Sequence, residues 1–580
     1  CGGSDKNLLF TMSLKNLSGV CLDQNKSLPI DTACLSINNL NDHVVTFLSN
    51  FEDCFLCYGQ PVADIPPNTN TTIQISTKYP LKIYYNDTGA TKSYISCGSS
   101  SFKQHGRYGW NITKDNSCSS VYTLYEPWNP YLPLLAAVMT YLLAFAIIFT
   151  SKLIINVVRT YLAKHAVSQN DIDRLQESES TPEMVAVSKT AMRLQALDAF
   201  RGIAVLLMIF VNNGGGKYVF LNHAAWNGLT VADLVLPWFA WAMGFTIVNS
   251  VRVHLRVSVS RTRLIIKQLR RTVLLILFGL LINSQHNSSL SELRFPGVLQ
   301  LLAVAYFICS VIETCLASPQ RTFQFGRFVF LQDILERWTQ WMVVLVIILV
   351  HTCITFFLHV PGCPRGYLGP GGYHHYGLNV NCTGGAAGYI DRLIFGQHMY
   401  QKTMNPVYGP TLPHDPEGLM NTISAVLIVF MGVQAGRIFV TYYQANSRII
   451  RWFAWFVTTG LLAGILCNFS QEKGWVPVNK NMMSLSFVLC TSSFAFLLFS
   501  ILYYLIDHKK FWSGVPFIYA GANPILLYVG HYLTMGLFPF AWETGTTPTH
   551  ASVLAMNLWT TTLWAIIAYL FYKKDFLITI

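Results

Sequence analysis

Charged side chains are what this 580-residue chain has least of: Asp, Glu, Lys and Arg make up 12% of it, about half of the roughly 25% usual in soluble globular domains. That scarcity excludes a disordered chain, a coiled coil and an ordinary cytosolic enzyme. Acidic residues are fewer than basic ones, 28 against 40. The resulting +12 sits among long apolar runs, so nucleic acid is not expected as a partner. With 52% hydrophobic residues, the pattern is that of a membrane protein with asymmetric loops, and lipid is its expected surround. The basic-then-apolar pattern of a signal peptide is missing from Cys1-Gly2-Gly3-Ser4-Asp5-Lys6, so a leader is expected to precede this numbering or to have been removed. Cysteine is thin over most of the chain, yet seven of the 14 fall within the first 118 residues. That clustering implies an oxidising, extracytoplasmic N-terminal domain.

Residues 1–128 alternate apolar and polar side chains in short runs, as in Thr71–Thr77 and Leu81–Tyr85, and are expected to form a disulfide-stapled, β-sandwich-like domain. Residues 129–157 hold the first membrane span, and the polar stretch 158–196 reads as a cytosolic linker. A ten-helix body follows over 197–580. Eleven spans are expected in all, near 131–151, 197–213, 229–250, 272–284, 296–318, 341–360, 418–436, 452–470, 482–506, 516–541 and 551–572. The loop from Arg252 to Arg271 carries seven Lys and Arg and no carboxylate, which places it in the cytosol, the N-terminus in the lumen and the C-terminus in the cytosol. Sequons begin at Asn16, Asn25, Asn70, Asn86, Asn111, Asn287 and Asn381, all in segments the charge rule assigns to the lumen. An eighth, at Asn468, lies close to the membrane. The lumenal loop 361–417 is rich in Gly and Pro and holds Cys363 and Cys382, which pair with each other or with the N-terminal domain.

Strongly polar groups in spans are expensive, so they are the first place to look for chemistry. The second span starts Leu197-Asp198-Ala199-Phe200-Arg201-Gly202 and ends Val211-Asn212-Asn213-Gly214-Gly215-Gly216; a short turn then carries His223, and the third span opens with Asp233. One helical hairpin thus brings an amide, an imidazole and a carboxylate to its lumenal end. Leu197 to Gly244, together with Pro361-Gly362-Cys363-Pro364, Gly366–Gly372, Asn381–Arg392 and Pro477-Val478-Asn479-Lys480-Asn481, closely resembles the heparan-α-glucosaminide N-acetyltransferase family of lysosomal membrane enzymes. The resemblance covers nearly all of the chain.

What the resemblance implies is acetyl transfer from cytosolic acetyl-CoA to the amine of a terminal, non-reducing α-glucosamine of heparan sulfate in the lysosome. His223 falls at the family's catalytic histidine and Asn212 at its active-site asparagine. Amine attack on a thioester needs a proton acceptor and a neutral donor for the oxyanion, and this pair is compatible with both roles. Asp233 either orients a neighbouring histidine or arginine or caps a helix. In an acidic lumen, a histidine base needs its pKa lowered. Direct transfer in a ternary complex is favoured over a covalent acetyl-histidine intermediate.

The phosphates of CoA require cations at the cytosolic rim. Arg193, Arg201 and Arg270 are candidates among a basic cluster that membrane anchoring also explains, and His531 in the tenth span is a candidate for the cofactor path. Arg294 is a candidate for glycan sulfate, with an ion-pair role favoured, and Lys480 is either a glycan contact or a solvated lysine. The tandem His374-His375 has no Cys or carboxylate at ligand spacing, so no metal is expected. Cys54-x-x-Cys57 is expected as a structural disulfide. The resemblance leaves room for a homodimer, although the Gln285–Ser289 loop has no cysteine to link protomers. Asp171–Gln176 approximates an acidic dileucine sorting signal but lacks its second aliphatic residue. The alternative function is a solute transporter or glycan-binding membrane receptor, against which stands the lack of a duplicated half.

Overall fold

The computed structural model describes residue 21 and residues 28–87, 93–113, 118–174, 194–285, 289–317, 331–403, 406–545 and 548–578. These fall into two units, one of residues 128–194 and one joining 1–127 to 195–580. The smaller unit is a single helix, α1 (Leu132–Arg174). Its apolar part, Leu132–Leu162, has 31 residues, more than the ~20 needed to cross a bilayer. The stretch from 158 to 174, expected as linker from its polarity, instead continues the helix. It contains no Gly or Pro, and nothing in its backbone chemistry ends the turn. Residues 175–193 lie outside the described residues, and Arg193 and the sequons at Asn16, Asn25 and Asn287 do as well.

The larger unit begins with eight strands, β1 (Thr32–Asn39), β2 (Val45–Phe51), β3 (Gln60–Ile65), β4 (Thr69–Ser76), β5 (Leu81–Asp87), β6 (Ser93–Ser100), β7 (Arg107–Ile112) and β8 (Tyr122–Tyr125). They form two four-stranded sheets, ordered β4-β1-β7-β8 and β3-β2-β5-β6. Alternation along β1 sends Leu35 and Ile37 into the core, while Ser36 bonds Thr72 of β4 on the other face at 2.9 Å. Trp110, fully buried, meets Phe47 and Tyr85 of the facing sheet. Disulfides join Cys21 to Cys34, Cys54 to Cys57 and Cys97 to Cys118.

Among the described residues twelve further helices of six residues or more follow: α2 (Gln195–Asn212), α3 (Val235–Arg256), α4 (Arg261–Asn283), α5 (Val298–Leu316), α6 (Trp338–Phe357), α7 (Gly385–Phe395), α8 (Leu419–Thr441), α9 (Ala445–Leu466), α10 (Leu485–Tyr503), α11 (Phe517–Ala522), α12 (Pro524–Leu533) and α13 (His550–Lys573). Among the described residues nine helices are long and apolar enough to cross a membrane, rather than the eleven expected. The other two expected spans differ for identifiable reasons. The helix α4 carries Arg261, Arg263, Lys267, Arg270 and Arg271 in its first half, leaving too short an apolar remainder. The expected tenth span is broken at Asn523, which precedes a proline and takes φ −128° and ψ 55° instead of helical angles. Its amide is held by the backbone of Phe576 and Ile578 beyond α13.

The sandwich docks on the helical body through the turn closed by Cys54 and Cys57. The Tyr376 N–H donates to Leu56 O at 2.6 Å, the Tyr408 hydroxyl to Asp53 O at 3.0 Å, and Tyr58 lies against Tyr376. His374 and His375 both pack against Phe55, so the tandem histidines belong to this docking surface. Cys363 pairs with Cys382, closing the long loop on itself rather than onto the sandwich. A second bridge runs from Asp31 to His550, whose other nitrogen donates to Gly216 O at 2.8 Å.

Inside the body two helix pairs approach at backbone distance. A Cβ on Gly432 of α8 would lie 1.9 Å from Trp241 O of α3, and one on Gly521 of α11 would lie 1.7 Å from Asp198 O of α2. Such contacts need small residues at the crossing. Gly432→Val should therefore lower the midpoint of thermal unfolding in detergent, with a cost of at least about 1–3 kcal/mol from overpacking. An unchanged midpoint would show that the pair can separate freely.

Candidate active site

The turn after α2 runs through three glycines with positive φ, Gly214, Gly215 and Gly216, and delivers His223 to the end of the body that carries the sandwich. Its ring Nδ1 lies 2.7 Å from Asp233 Oδ1. Asp233 has no exposed surface. Its other oxygen accepts from the Ala224 N–H at 3.3 Å and from the Thr230 N–H and hydroxyl at 3.0 and 2.9 Å. A buried carboxylate so engaged stays anionic, accepts a hydrogen bond from Nδ1–H and leaves the Nε2 lone pair as the ring's basic site. The amide and carboxylate expected beside His223 are thus half realised, since Asp233 orients the imidazole but Asn212 does not join it. Both amide hydrogens of Asn212 are directed elsewhere, at His531 Nε2 (3.1 Å) and the Tyr532 hydroxyl (3.2 Å).

Residues 471–484 are stitched to the His223 turn from the other side. Asn227 donates to Glu472 at 2.7 Å and accepts from Asn479 at 2.9 Å, and the Gly228 N–H donates to Val478 O at 2.8 Å. Trp226 is buried and donates to Leu368 O at 2.9 Å, pinning the same turn to the long loop. This stitching carries Lys480 onto the imidazole, with Nζ 3.0 Å from Nε2 and 3.2 Å from Nδ1. The sequence offered two readings of Lys480, glycan contact or solvated surface, and neither anticipated this contact, because nothing local ties two loops 257 residues apart.

The His223 side chain keeps 49% of its surface open, while protein crowds the rest of the ring. Loss of hydration on that crowded side and the Lys480 ammonium hold its pKa below the ordinary imidazole range, against the opposing Asp233 and Glu417 carboxylates. Glu417 belongs to a cluster with Arg294 and Asp415. The Arg294 fork donates to Asp415 at 2.8 and 2.5 Å and also pairs with Glu417. Nε and Nη2 of Arg294 are thus taken by two carboxylates, the ion-pair arrangement favoured from the sequence.

At the opposite end, α3, α4 and α5 enclose a cavity of about 400 Å³ lined by residues including His254, Lys267, Arg270, Arg271 and Tyr306. Among the described residues no carboxylate lines it and the buried Nε of Arg271 has no partner, so its chemistry fits an anion. Arg270 is part of this lining. Arg201 is not in this lining and stands 3.5 Å from Asp198. His531 is buried beside Asn212, away from this cavity.

Sequence reasoning missed a buried ion pair, Arg437 of α8 with Glu313 of α5 at 2.9 Å, extended by Gln340, Gln434 and Asp333. The available signal was the charge itself, at 313 and 437 inside apolar helices. Among the described residues no group of side chains suited to a metal ion occurs. Of the expected glycosylation sites that are described, Asn70 and Asn381 are exposed, whereas Asn86 and Asn111 are half-buried.

The arrangement defines a polytopic helical membrane protein with an N-terminal β domain and an oriented imidazole base on the side of that domain. No protein-family model matches the chain. It is 37% identical over 585 residues to human heparan-α-glucosaminide N-acetyltransferase, covering 94% of this chain and 88% of that protein. It is 36% identical over 586 residues to the mouse protein of the same name, with 95% and 89% covered. The chain belongs to the heparan-α-glucosaminide N-acetyltransferase family. That membership makes it an acetyltransferase and removes the transporter alternative.

One carboxyl outside the spans makes a separate, testable statement. Burial pushes Asp391 of α7 up to about 7, opposed by the Leu419 N–H and reinforced by Asp415. Raised above its ordinary 3.8, the group binds its proton more tightly folded than unfolded. Its own contribution to stability should be fully present below about pH 4 and be lost as pH rises towards 7, by up to about 1.4 kcal/mol per pH unit. Thermal melts across that range should show the slope, and Asp391→Asn should flatten it.

Proposed function

We propose that this enzyme transfers the acetyl group of cytosolic acetyl-CoA to the amine of a terminal, non-reducing α-glucosamine of heparan sulfate on the lumenal side of the lysosomal membrane. The N-terminus is lumenal and the C-terminus cytosolic in this reading. The observation that carries it is the His223–Asp233 pair, which presents an unprotonated Nε2 at the open face of a membrane-embedded fold. The substrate is the one named in both relatives.

In the reaction, the acceptor amine reaches Nε2, gives up a proton and attacks the thioester carbonyl. Asp233 stabilises the imidazolium that forms, which then protonates the leaving thiolate. A lowered histidine pKa keeps a fraction of the base neutral in an acidic compartment. Asn212 acts one step back, holding the Tyr532 hydroxyl and His531 as neutral polar groups, since a developing oxyanion needs donors rather than charge. The phosphates of CoA are assigned to the cavity holding Arg270, with Arg193 and Arg201 as further cations of the same rim. Direct transfer is preferred over an acetyl-histidine intermediate because an amine can reach a buried thioester without a second barrier.

His223→Ala should abolish acetylation of a glucosamine acceptor while glycosylation and membrane insertion persist; retained activity would sink the assignment. Asp233→Asn should lower kcat by about 10²–10⁴-fold by releasing the ring's tautomer. Lys480→Met should raise the His223 pKa, moving the acidic limb of the kcat/KM profile to higher pH. Arg270→Ala should raise KM for acetyl-CoA more than it lowers kcat, which steady-state kinetics at varied donor concentration would show.

A further inference from the structure

The bridge between the sandwich and the start of α13 carries an inference that rests on the acetyltransferase reading and deepens it. His550 is buried, with Nδ1 2.8 Å from Gly216 O and Nε2 3.0 Å from Asp31 Oδ1. A carbonyl and a carboxylate only accept hydrogen bonds, and a neutral imidazole has one N–H to give. Either neutral tautomer therefore turns a lone pair towards an oxygen. Both contacts are complete only with a proton on each nitrogen, as the imidazolium beside an anionic Asp31. Moving the extra proton onto Asp31 leaves the count unchanged, since the bridge still holds one proton more than a neutral ring and a carboxylate.

What the bridge holds is the segment that delivers His223. His550, Leu554 and Asn557 lie on one face of α13, at i, i+4 and i+7. That face meets the three-glycine turn, where a Cβ on Gly216 would lie 3.0 Å from Leu554 Cδ1 and one on Gly214 3.6 Å from Asn557 Nδ2. Tyr218 stacks on the His550 ring, with centroids 4.5 Å apart. Successive glycines leave a backbone little stiffness of its own, so external ties set its path. The charged and titratable groups facing the imidazole are Asp31 of the sandwich and Lys217 and Tyr218 of the turn. Asp31 favours the cation and Lys217 opposes it.

We propose that His550 is an acid-sensing positioning residue, which when protonated ties Asp31 to Gly216 and holds the turn in the geometry that presents His223 to the acceptor. Deprotonated, it keeps one partner and releases the other, and the turn loosens. The N-terminal domain thereby sets the enzyme for an acidic lumen, separately from the ionisation of His223. The two histidines work in opposite senses, His223 unprotonated and His550 protonated, and together they give a bell-shaped profile.

The test uses the full-length protein in lipid nanodiscs at about pH 5 and about pH 7.5, either side of the ordinary imidazole pKa of about 6.5. Hydrogen exchange of peptides covering residues 214–223, corrected for the intrinsic pH dependence of exchange, should show about tenfold less protection at the higher pH, the weight of one charge-assisted hydrogen bond. The alkaline limb of kcat for glucosamine acetylation, at saturating acetyl-CoA, should fall in the same interval. In Asp31→Asn the new amide donates to Nε2 of a neutral ring while Nδ1–H stays on Gly216, so the bridge closes without the extra proton. Asn also tolerates the left-handed backbone at position 31, where φ is 58°. This variant should show equal protection at both pH values and an alkaline limb moved to higher pH, whereas His550→Phe should lack the protection at both. Equal protection at the two pH values in the unaltered protein, or an Asp31→Asn profile matching the unaltered one, would overturn the proposal. Exchange is read without substrate, so the two readings fail separately. Absence of acetylated glucosamine at every pH defeats the acetyltransferase reading, while the exchange ratio judges the bridge.

Discussion

A carboxylate with no exposed surface must have its lone pairs satisfied or it will not stay ionised, and Asp233 is such a group. Four donors meet it, from the His223 ring, the Ala224 N–H and both the N–H and the hydroxyl of Thr230. They fold the turn between α2 and α3 around one anion and determine which nitrogen of His223 is the base. The contacts of Asn227, Trp226 and Gly228 then bind residues 471–484 and the long loop to that turn. The catalytic end of the molecule is organised outward from a single buried charge.

The hairpin logic was legible because it is local. Asp233 follows His223 by ten positions, with a helix ending before one and starting at the other, and burial of polar groups at such a boundary is a strong constraint. The β domain was legible for the same reason, since period-two alternation and clustered cysteines act over short stretches. Three things were not. The stop of α1 was placed by polarity, which does not end a helix without a Gly, a Pro or a cap. The fourth helix was trimmed to its apolar end, although its basic half forms the same helix. The partners of Asn212 and Lys480 come from segments more than 250 residues away, and no pattern within either segment points to the other.

The sandwich meets the helical body at two short stretches. The Cys54–Cys57 turn meets the loop before α8, and Asp31 meets the start of α13, where His550 also holds Gly216 of the turn that leads to His223. The N-terminal domain therefore buttresses the segment that delivers the base, at some distance from the base itself. Cys363 and Cys382 shorten the free length of the same loop, and a loop of that length closed by a disulfide is worth about 3 kcal/mol in chain-entropy terms.

The glycine crossings between α3 and α8 and between α2 and α11 bear on how a group can traverse a bilayer at all. A transporter exposes its site to each side in turn by rocking one half against the other. Helices locked backbone to backbone at Gly432 and Gly521 oppose that sliding. Under the proposed transfer, such a scaffold would leave its own frame still while a long, flexible donor threads it, so that the membrane is crossed by the reach of a ligand instead of the motion of a protein.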